Sequence, residues 1–139
     1  MIKKLTFIVI MFFSICAYVG SQIESPREKL DRFYSIDLPE SSLIPFLLDG
    51  GQELVPLLSM EIRNKEMHRR RYAIGALGKL KNNDALPSLE LLVQDQSEQD
   101  YIRCDAIKAI RDIDASYAKL FLDSINLEPE GLLVECERY

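Results

Sequence analysis

The sequence predicts an all-α protein, a short α-solenoid of antiparallel helix pairs, and three observations support this. Residues 69–80 and 100–113 carry the same apolar pattern at an offset of 33 positions, and a fixed offset is typical of helical repeats that bury their faces by stacking. Connections between the predicted helices are mostly two to six residues long, which favours antiparallel neighbours. No segment shows the convincing apolar–polar alternation of a half-buried strand.

The first predicted helix, residues 27–34, follows Ser25 and Pro26, which suit the N-cap and the first helical position. It has one apolar stripe and one charged side, so we expect it to cap one end of the solenoid. Residues 42–48 form a strongly apolar second helix. The sequence Asp49-Gly50-Gly51 ends it, because glycine accepts the left-handed conformation found just beyond many helix ends.

Two long helices, residues 66–81 and 100–114, contain the repeat, in which Arg70 aligns with Arg103. Placing residues 100° apart around each axis separates an apolar face from a polar one. Cys104, Gly75 and Gly78 fall on the polar side of this projection. Each buried isoleucine contributes about 1.5–3 kcal/mol, so the aliphatic face is predicted to be core. The expected core residues are Ala73, Ala76, Leu77, Leu80, Ile102, Ala106, Ala109, Ile110 and Ile113, with Ile74 and Ile107 at the margins.

Three shorter helices are predicted at residues 53–63, 84–93 and 116–125. The first two carry Pro56 and Pro87 in their opening turns, where the missing N–H of proline costs little. With the four helices above, they give roughly seven helices in one domain.

Residues 1–21 are typical of a cleaved signal peptide. Lys3 and Lys4 precede 15 uncharged, mostly apolar residues at 5–19, and small or tolerated residues stand before Gln22. Fifteen residues are short for a membrane span, which needs about 20, although an uncleaved anchor stays open. Cys16 raises the alternative of a lipoprotein, but the bulky residue before it departs from the lipobox pattern. We therefore expect an exported protein, periplasmic or secreted, without a membrane span after cleavage.

The remaining residues, 22–139, have the size of one domain, and a chain of this length buries roughly two thirds of its unfolded surface. The full chain has 17 basic and 22 acidic residues. Removal of Lys3 and Lys4 leaves 15 basic residues, so the net charge falls from −5 to −7. This charge argues against a broad surface for nucleic acid or anionic membrane.

Residues 70–80, RRYAIGALGKL, and 82–92, NNDALPSLELL, resemble HEAT-like repeats of the phycobilisome-lyase type. The stretch DYIRCDAIKAIRDI at 100–113 resembles the first helix of the same repeat. The resemblance covers about residues 53–125. It implies a right-handed superhelix of armadillo type and a role in protein–protein contact. It does not imply lyase activity.

The resemblance also implies that the two long helices line the inner curve of the solenoid, so their outward residues form one candidate binding surface. Tyrosine and arginine are enriched at binding hot spots. Because the surface is more basic than the whole chain, we expect a protein partner with an acidic surface. A solvated helix face paired with local acids is the alternative. The candidate binding residues are His68, Arg71, Tyr72, Lys79, Tyr101, Lys108 and Arg111.

Signal cleavage would remove Cys16 and leave Cys104 and Cys136. Two cysteines in an oxidising compartment allow one intramolecular disulfide, which would hold the tail, residues 126–139, across the last helix pair. Two free thiols, or pairing of Cys136 with another chain, stay open. The tail carries mixed signals, with helix-breaking residues followed by an apolar stretch.

No catalytic or metal-binding motif is present in the sequence, and its only histidine, His68, stands beside three arginines. The sequence therefore favours a non-enzymatic protein-interaction module in the cell envelope, without a cofactor or metal. One alternative is an inhibitor or immunity-type protein that inserts acidic tail residues, Glu135 and Glu137, into a basic cleft of a toxin or enzyme. A second alternative is an accessory subunit of an enzyme. The partner's identity and the oligomeric state are not encoded in these patterns.

Overall fold

The computed structural model describes residues 24–127 and 131–137, and all regular secondary structure within these ranges is helical. The predicted signal peptide, residues 1–21, lies outside the described residues. The helices are α1 (Pro26–Ser35), α2 (Glu40–Leu48), α3 (Val55–Glu61), α4 (Arg70–Leu80), α5 (Leu86–Gln94), α6 (Asp100–Ile113), α7 (Ala115–Ser124) and α8 (Leu132–Cys136). Short 3₁₀ turns at Gly51–Leu54 and Asn83–Ala85 lead into α3 and α5. The all-α prediction is confirmed.

Helix α1 begins at the predicted place. Ser25 is the N-cap and Pro26 the first helical residue. The backbone N–H of Glu28 donates to the Ser25 hydroxyl at 3.3 Å, and the Glu28 carboxylate accepts the Ser25 N–H at 2.8 Å. These two bonds form a capping box, which satisfies two amide groups that have no partner inside the helix.

Other helix ends differ from the prediction. The helix predicted at residues 66–81 is shorter and runs from Arg70 to Leu80, because Arg69 and Lys81 both adopt left-handed backbone conformations with φ of 60° and 53°. Pro56 and Pro87 stand in the first turns of α3 and α5, as predicted, but the residues before each turn are 3₁₀ rather than α-helical.

The helices pack in consecutive pairs, with α1 on α2, α3 on α4, α5 on α6 and α7 on α6. Helix α4 also lies between α2 and α6, and contacts both. One hydrophobic cluster extends from Leu30 in α1 to Phe121 in α7. Most of the predicted core is buried, although Leu80 and Ile113 keep part of their surface exposed.

The prediction that Gly78 faces outward is wrong, because Gly78 is buried between α4 and α6. A Cβ atom at this position would lie 2.8 Å from the Cα of Ala109. The helical projection of a single helix identified one buried face, but α4 contacts two neighbouring helices. Gly78 is therefore the position at which the backbones of α4 and α6 approach closely.

The two aligned arginines have the same structural role. Arg70 Nε donates to the carbonyl of Ile62 at 2.6 Å, and Arg103 Nε donates to the carbonyl of Val93 at 2.9 Å. Each carbonyl lies at the C-terminal end of the preceding helix, where backbone oxygens lack partners inside the helix. Both guanidinium groups are buried, so each ties one helix start to the end of the helix before it.

The placement of Cys104 on the outward face is also wrong. Cys104 is only 3% exposed, and α8 packs against α6. Cys104 and Cys136 form a disulfide across a sequence separation of 32, and Leu132 in α8 is buried. Cys104 lies on the polar side of its own helix, but it is covered because the tail folds back there.

Candidate binding cleft between α4 and α6

An open cleft of about 300 Å³ lies along the exposed faces of α4 and α6, with α2 at one side. On α4, positions 71, 75 and 79 follow one another at intervals of four and therefore share a face. On α6, positions 105, 108, 109 and 112 are related by steps of three and four and therefore also share a face. The lining residues are Ile44, Arg71, Tyr72, Gly75, Lys79, Asp105, Lys108, Ala109 and Asp112.

Two ion pairs connect α4 to α6 along the cleft. Arg71 holds Asp105 through both carboxylate oxygens, with Nε–Oδ2 and Nη2–Oδ1 distances of 2.6 and 3.2 Å. Lys79 Nζ lies 2.8 Å from Asp112 Oδ2. The hydrogen bond to Asp105 raises the pKa of Arg71 above its ordinary value, so this side chain is a permanent cation. Exposed pairs of this kind contribute about 0–1 kcal/mol each, and their main consequence is to neutralise part of the cleft.

Two tyrosines border the cleft. The guanidinium carbon of Arg71 lies 5.1 Å from the centre of the Tyr101 ring, which is within the range of a cation–π contact. Tyr72 donates a hydrogen bond to the carboxylate of Glu40, and this bond is the main reason that the pKa of the Tyr72 hydroxyl is raised. The cleft therefore has one aromatic border from α4 and another from α6, each held by a charged neighbour.

The cleft contains four of the seven candidate residues, Arg71, Tyr72, Lys79 and Lys108, and Tyr101 adjoins it through Arg71. His68 and Arg111 are exposed but do not line it, so the cleft holds only part of the predicted binding surface.

Helix geometry explains both exclusions. His68 precedes the start of α4 at Arg70, where the helical projection no longer applies. Viewed down the axis of α6, Asp112 lies about 40° around the helix from Lys108, on the side that faces Lys79. Arg111 lies about 60° from Lys108 in the opposite direction, away from the cleft.

Two of the candidate cations, Arg71 and Lys79, have acidic partners that were not predicted from the sequence. Asp105 follows Arg71 by 34 positions and Asp112 follows Lys79 by 33. The second separation equals the repeat offset and the first exceeds it by one residue, so opposite charges near that spacing were a signal that could have revealed the pairs. Ile44 was not predicted either, because it comes from α2, which lies outside the segments that could be aligned.

Metal binding has no visible basis in residues 24–127 and 131–137. Within those ranges, no group of three or more histidine, cysteine, aspartate or glutamate side chains is arranged to hold a metal ion. The same ranges contain no helix with the length and apolar character needed to cross a membrane.

Comparison of the chain with protein-family models, with curated proteins and with solved structures gives no match. The relation to HEAT-like repeats therefore stays a prediction from the sequence.

Proposed function

We propose that this chain is an exported protein-interaction module of HEAT-like repeats, arranged as a short right-handed solenoid, and that the α4–α6 cleft binds another protein. The observation that carries the proposal is the cleft itself, an open channel with a floor of small residues and borders of tyrosine and arginine. Tyrosine and arginine are over-represented among the residues that dominate binding energy at protein interfaces.

The equivalent contacts of successive helix pairs support the repeat architecture. Arg70 and Arg103, 33 positions apart, make the same bond to the end of the preceding helix. Helices α2, α4 and α6 contact one another in order, as the stacked helices of a solenoid would.

Two features support export. The basic and apolar segment at residues 1–21 has the composition of a signal peptide. The disulfide between Cys104 and Cys136 belongs to the kind that persists in oxidising compartments such as the periplasm or the extracellular space.

The chemistry of the cleft supports binding rather than catalysis. Serine, cysteine and histidine are absent from the described residues that line it, and these are the most usual nucleophiles and proton-transfer groups of enzymes. The two aspartates of the cleft are already paired with Arg71 and Lys79.

Site-directed photo-crosslinking tests the proposal. A benzoylphenylalanine residue replaces Tyr72 in residues 22–139, and the protein is irradiated with the envelope and secreted fractions of its own cells. A matched variant carries the same group at Leu91, an exposed residue on α5. We expect one dominant, stoichiometric protein adduct from position 72 and none from position 91. Equal labelling from both positions, or no adduct from position 72, would contradict the proposal.

An inhibitor or immunity-type role is a second candidate because of the tail. Glu135 and Glu137 are both exposed, and the disulfide at Cys136 anchors the residue between them to α6. A tethered acidic segment suits insertion into a basic cleft. Expression in cells susceptible to the partner protein separates the two roles. Rescue that is lost in a Glu135→Gln, Glu137→Gln variant supports inhibition, whereas the absence of rescue supports a scaffold.

A further inference from the structure

The two ion pairs across the cleft form a ladder of two rungs. Arg71–Asp105 is one rung and Lys79–Asp112 is another. In each, α4 supplies the cation and α6 the carboxylate. The two α4 positions are eight residues apart, which corresponds to about two helical turns. A third rung would fit halfway between them.

Neither helix supplies a carboxylate at the halfway position. On α4 the halfway position is Gly75, which has no side chain, and on α6 it is occupied by Lys108 and Ala109. Lys108 is exposed to solvent and makes no ion pair or hydrogen bond with any residue in the described parts of the chain. Its two acidic neighbours on α6, Asp105 and Asp112, are held by Arg71 and Lys79. Lys108 is therefore the cation in the cleft without a local partner.

Part of the cleft lining near Lys108 is aliphatic. A Cβ atom on Gly75 would lie 2.9 Å from the terminal carbon of Ile44, so the Ile44 side chain from α2 reaches over the glycine. Ala109 on α6 also lines the cleft and adds no polar side-chain atom. A short aliphatic stem that carries a charge at its end would contact these carbons and bring the charge to the Lys108 ammonium.

We propose that Lys108 receives the carboxylate of a glutamate side chain from a partner polypeptide, which completes the middle rung of the ladder. This inference rests on the proposed protein-binding function and specifies the chemistry of the partner. The two methylenes of glutamate match the Ile44–Gly75–Ala109 floor. A single negative charge balances one uncommitted ammonium, whereas a phosphate dianion would leave an excess negative charge between Asp105 and Asp112.

A peptide titration followed by ¹⁵N NMR tests the inference without knowledge of the natural partner. The probes are acetyl-Ala-Ala-Glu-Ala-Ala-amide and the control peptide in which glutamine replaces glutamate. We expect the glutamate peptide to produce saturable shifts in the amide signals of Gly75 and Ala109, and the glutamine peptide to produce none. Because Lys108→Gln removes one charge-assisted hydrogen bond, it should weaken the affinity for the glutamate peptide at least about tenfold. Lys119→Gln, which removes an exposed cation on α7, leaves it unchanged.

Three results would overturn the inference. These are equal responses to both peptides, no saturable response to either, and a Lys108→Gln response equal to that of the parent protein. Inorganic phosphate serves as a competitor, and stronger shifts with phosphate than with the glutamate peptide would assign a general anion site instead. The outcome is separable from the proposed function. If Tyr72-position crosslinking persists in Lys108→Gln while the peptide responses fail, the cleft binds protein by other contacts.

Discussion

Arg70 and Arg71 are adjacent in the chain, yet burial gives their ion pairs different consequences. Arg70 Nη1 lies 2.7 Å from Glu98 Oε2, and the two side chains are 6% and 4% exposed. The Glu98 Oε2 atom makes no well-aligned hydrogen bond within the described structure, so this contact is mainly an ionic one. The Arg71 side chain in the Arg71–Asp105 pair is 51% exposed. A buried charge that loses its partner cannot be solvated, whereas an exposed one can.

We therefore predict that Arg70→Met destabilises the protein by about 3–5 kcal/mol, because Glu98 is left as an unpaired buried charge and the Ile62 carbonyl loses its donor. Arg71→Met should cost no more than about 1 kcal/mol. Urea unfolding of the oxidised proteins, monitored by circular dichroism, measures both values. Adding Glu98→Met to Arg70→Met should restore part of the loss. Equal stabilities for the two single variants would show that the Arg70 pair is not structurally important.

At the level of helices, the close approach of α4 and α6 depends on Gly78 rather than on Gly75. The space beside Gly78 is filled by the backbone of Ala109, whereas the space beside Gly75 is filled by the tip of Ile44. A backbone can move only if the whole helix moves, but the end of an isoleucine side chain can change its rotamer. Both glycines reduce the intrinsic helix stability of α4.

We predict that Gly78→Ala lowers the free energy of unfolding by about 1–3 kcal/mol, because the added methyl group forces the two helices apart. Gly75→Ala should be neutral or stabilising, with a gain of up to about 1 kcal/mol from helix propensity. Thermal and urea unfolding of both variants provide the comparison. A Gly78→Ala variant as stable as Gly75→Ala would mean that the helices can separate at little cost.

The long helices and most of their core were predictable because the 33-residue offset and the helical period act locally along the chain. Gly78 and Cys104 were misplaced because their burial depends on a second neighbouring helix and on the returning tail. Neither contact is encoded in the period of one helix. Four cleft residues were identified for the same local reason, but their pairing with Asp105 and Asp112 depends on how α4 and α6 face each other.

At the scale of the whole molecule, the disulfide connects the tail to α6, the longest helix in the part of the chain that the structure describes. Cys104 and Cys136 enclose a segment with a sequence separation of 32 that contains the rest of α6, all of α7 and all of α8. The five-residue helix α8 is too short to be stable in isolation. Its order therefore depends on the covalent link and on the burial of Leu132 against the rest of the fold.

We predict that the purified protein is oxidised, with an intact mass lower by two hydrogens than that of the dithiol and no labelling of Cys104 or Cys136 by iodoacetamide before reduction. Closing a loop of this length restricts the unfolded chain, so reduction, or Cys136→Ser, should lower stability by about 2–4 kcal/mol. Amide hydrogen exchange should accelerate first in residues 131–137, because α8 then retains only noncovalent contacts with α6. Labelling of both thiols in unreduced protein would contradict the disulfide. Unchanged exchange after reduction would show that Leu132 and its neighbours hold the tail without it.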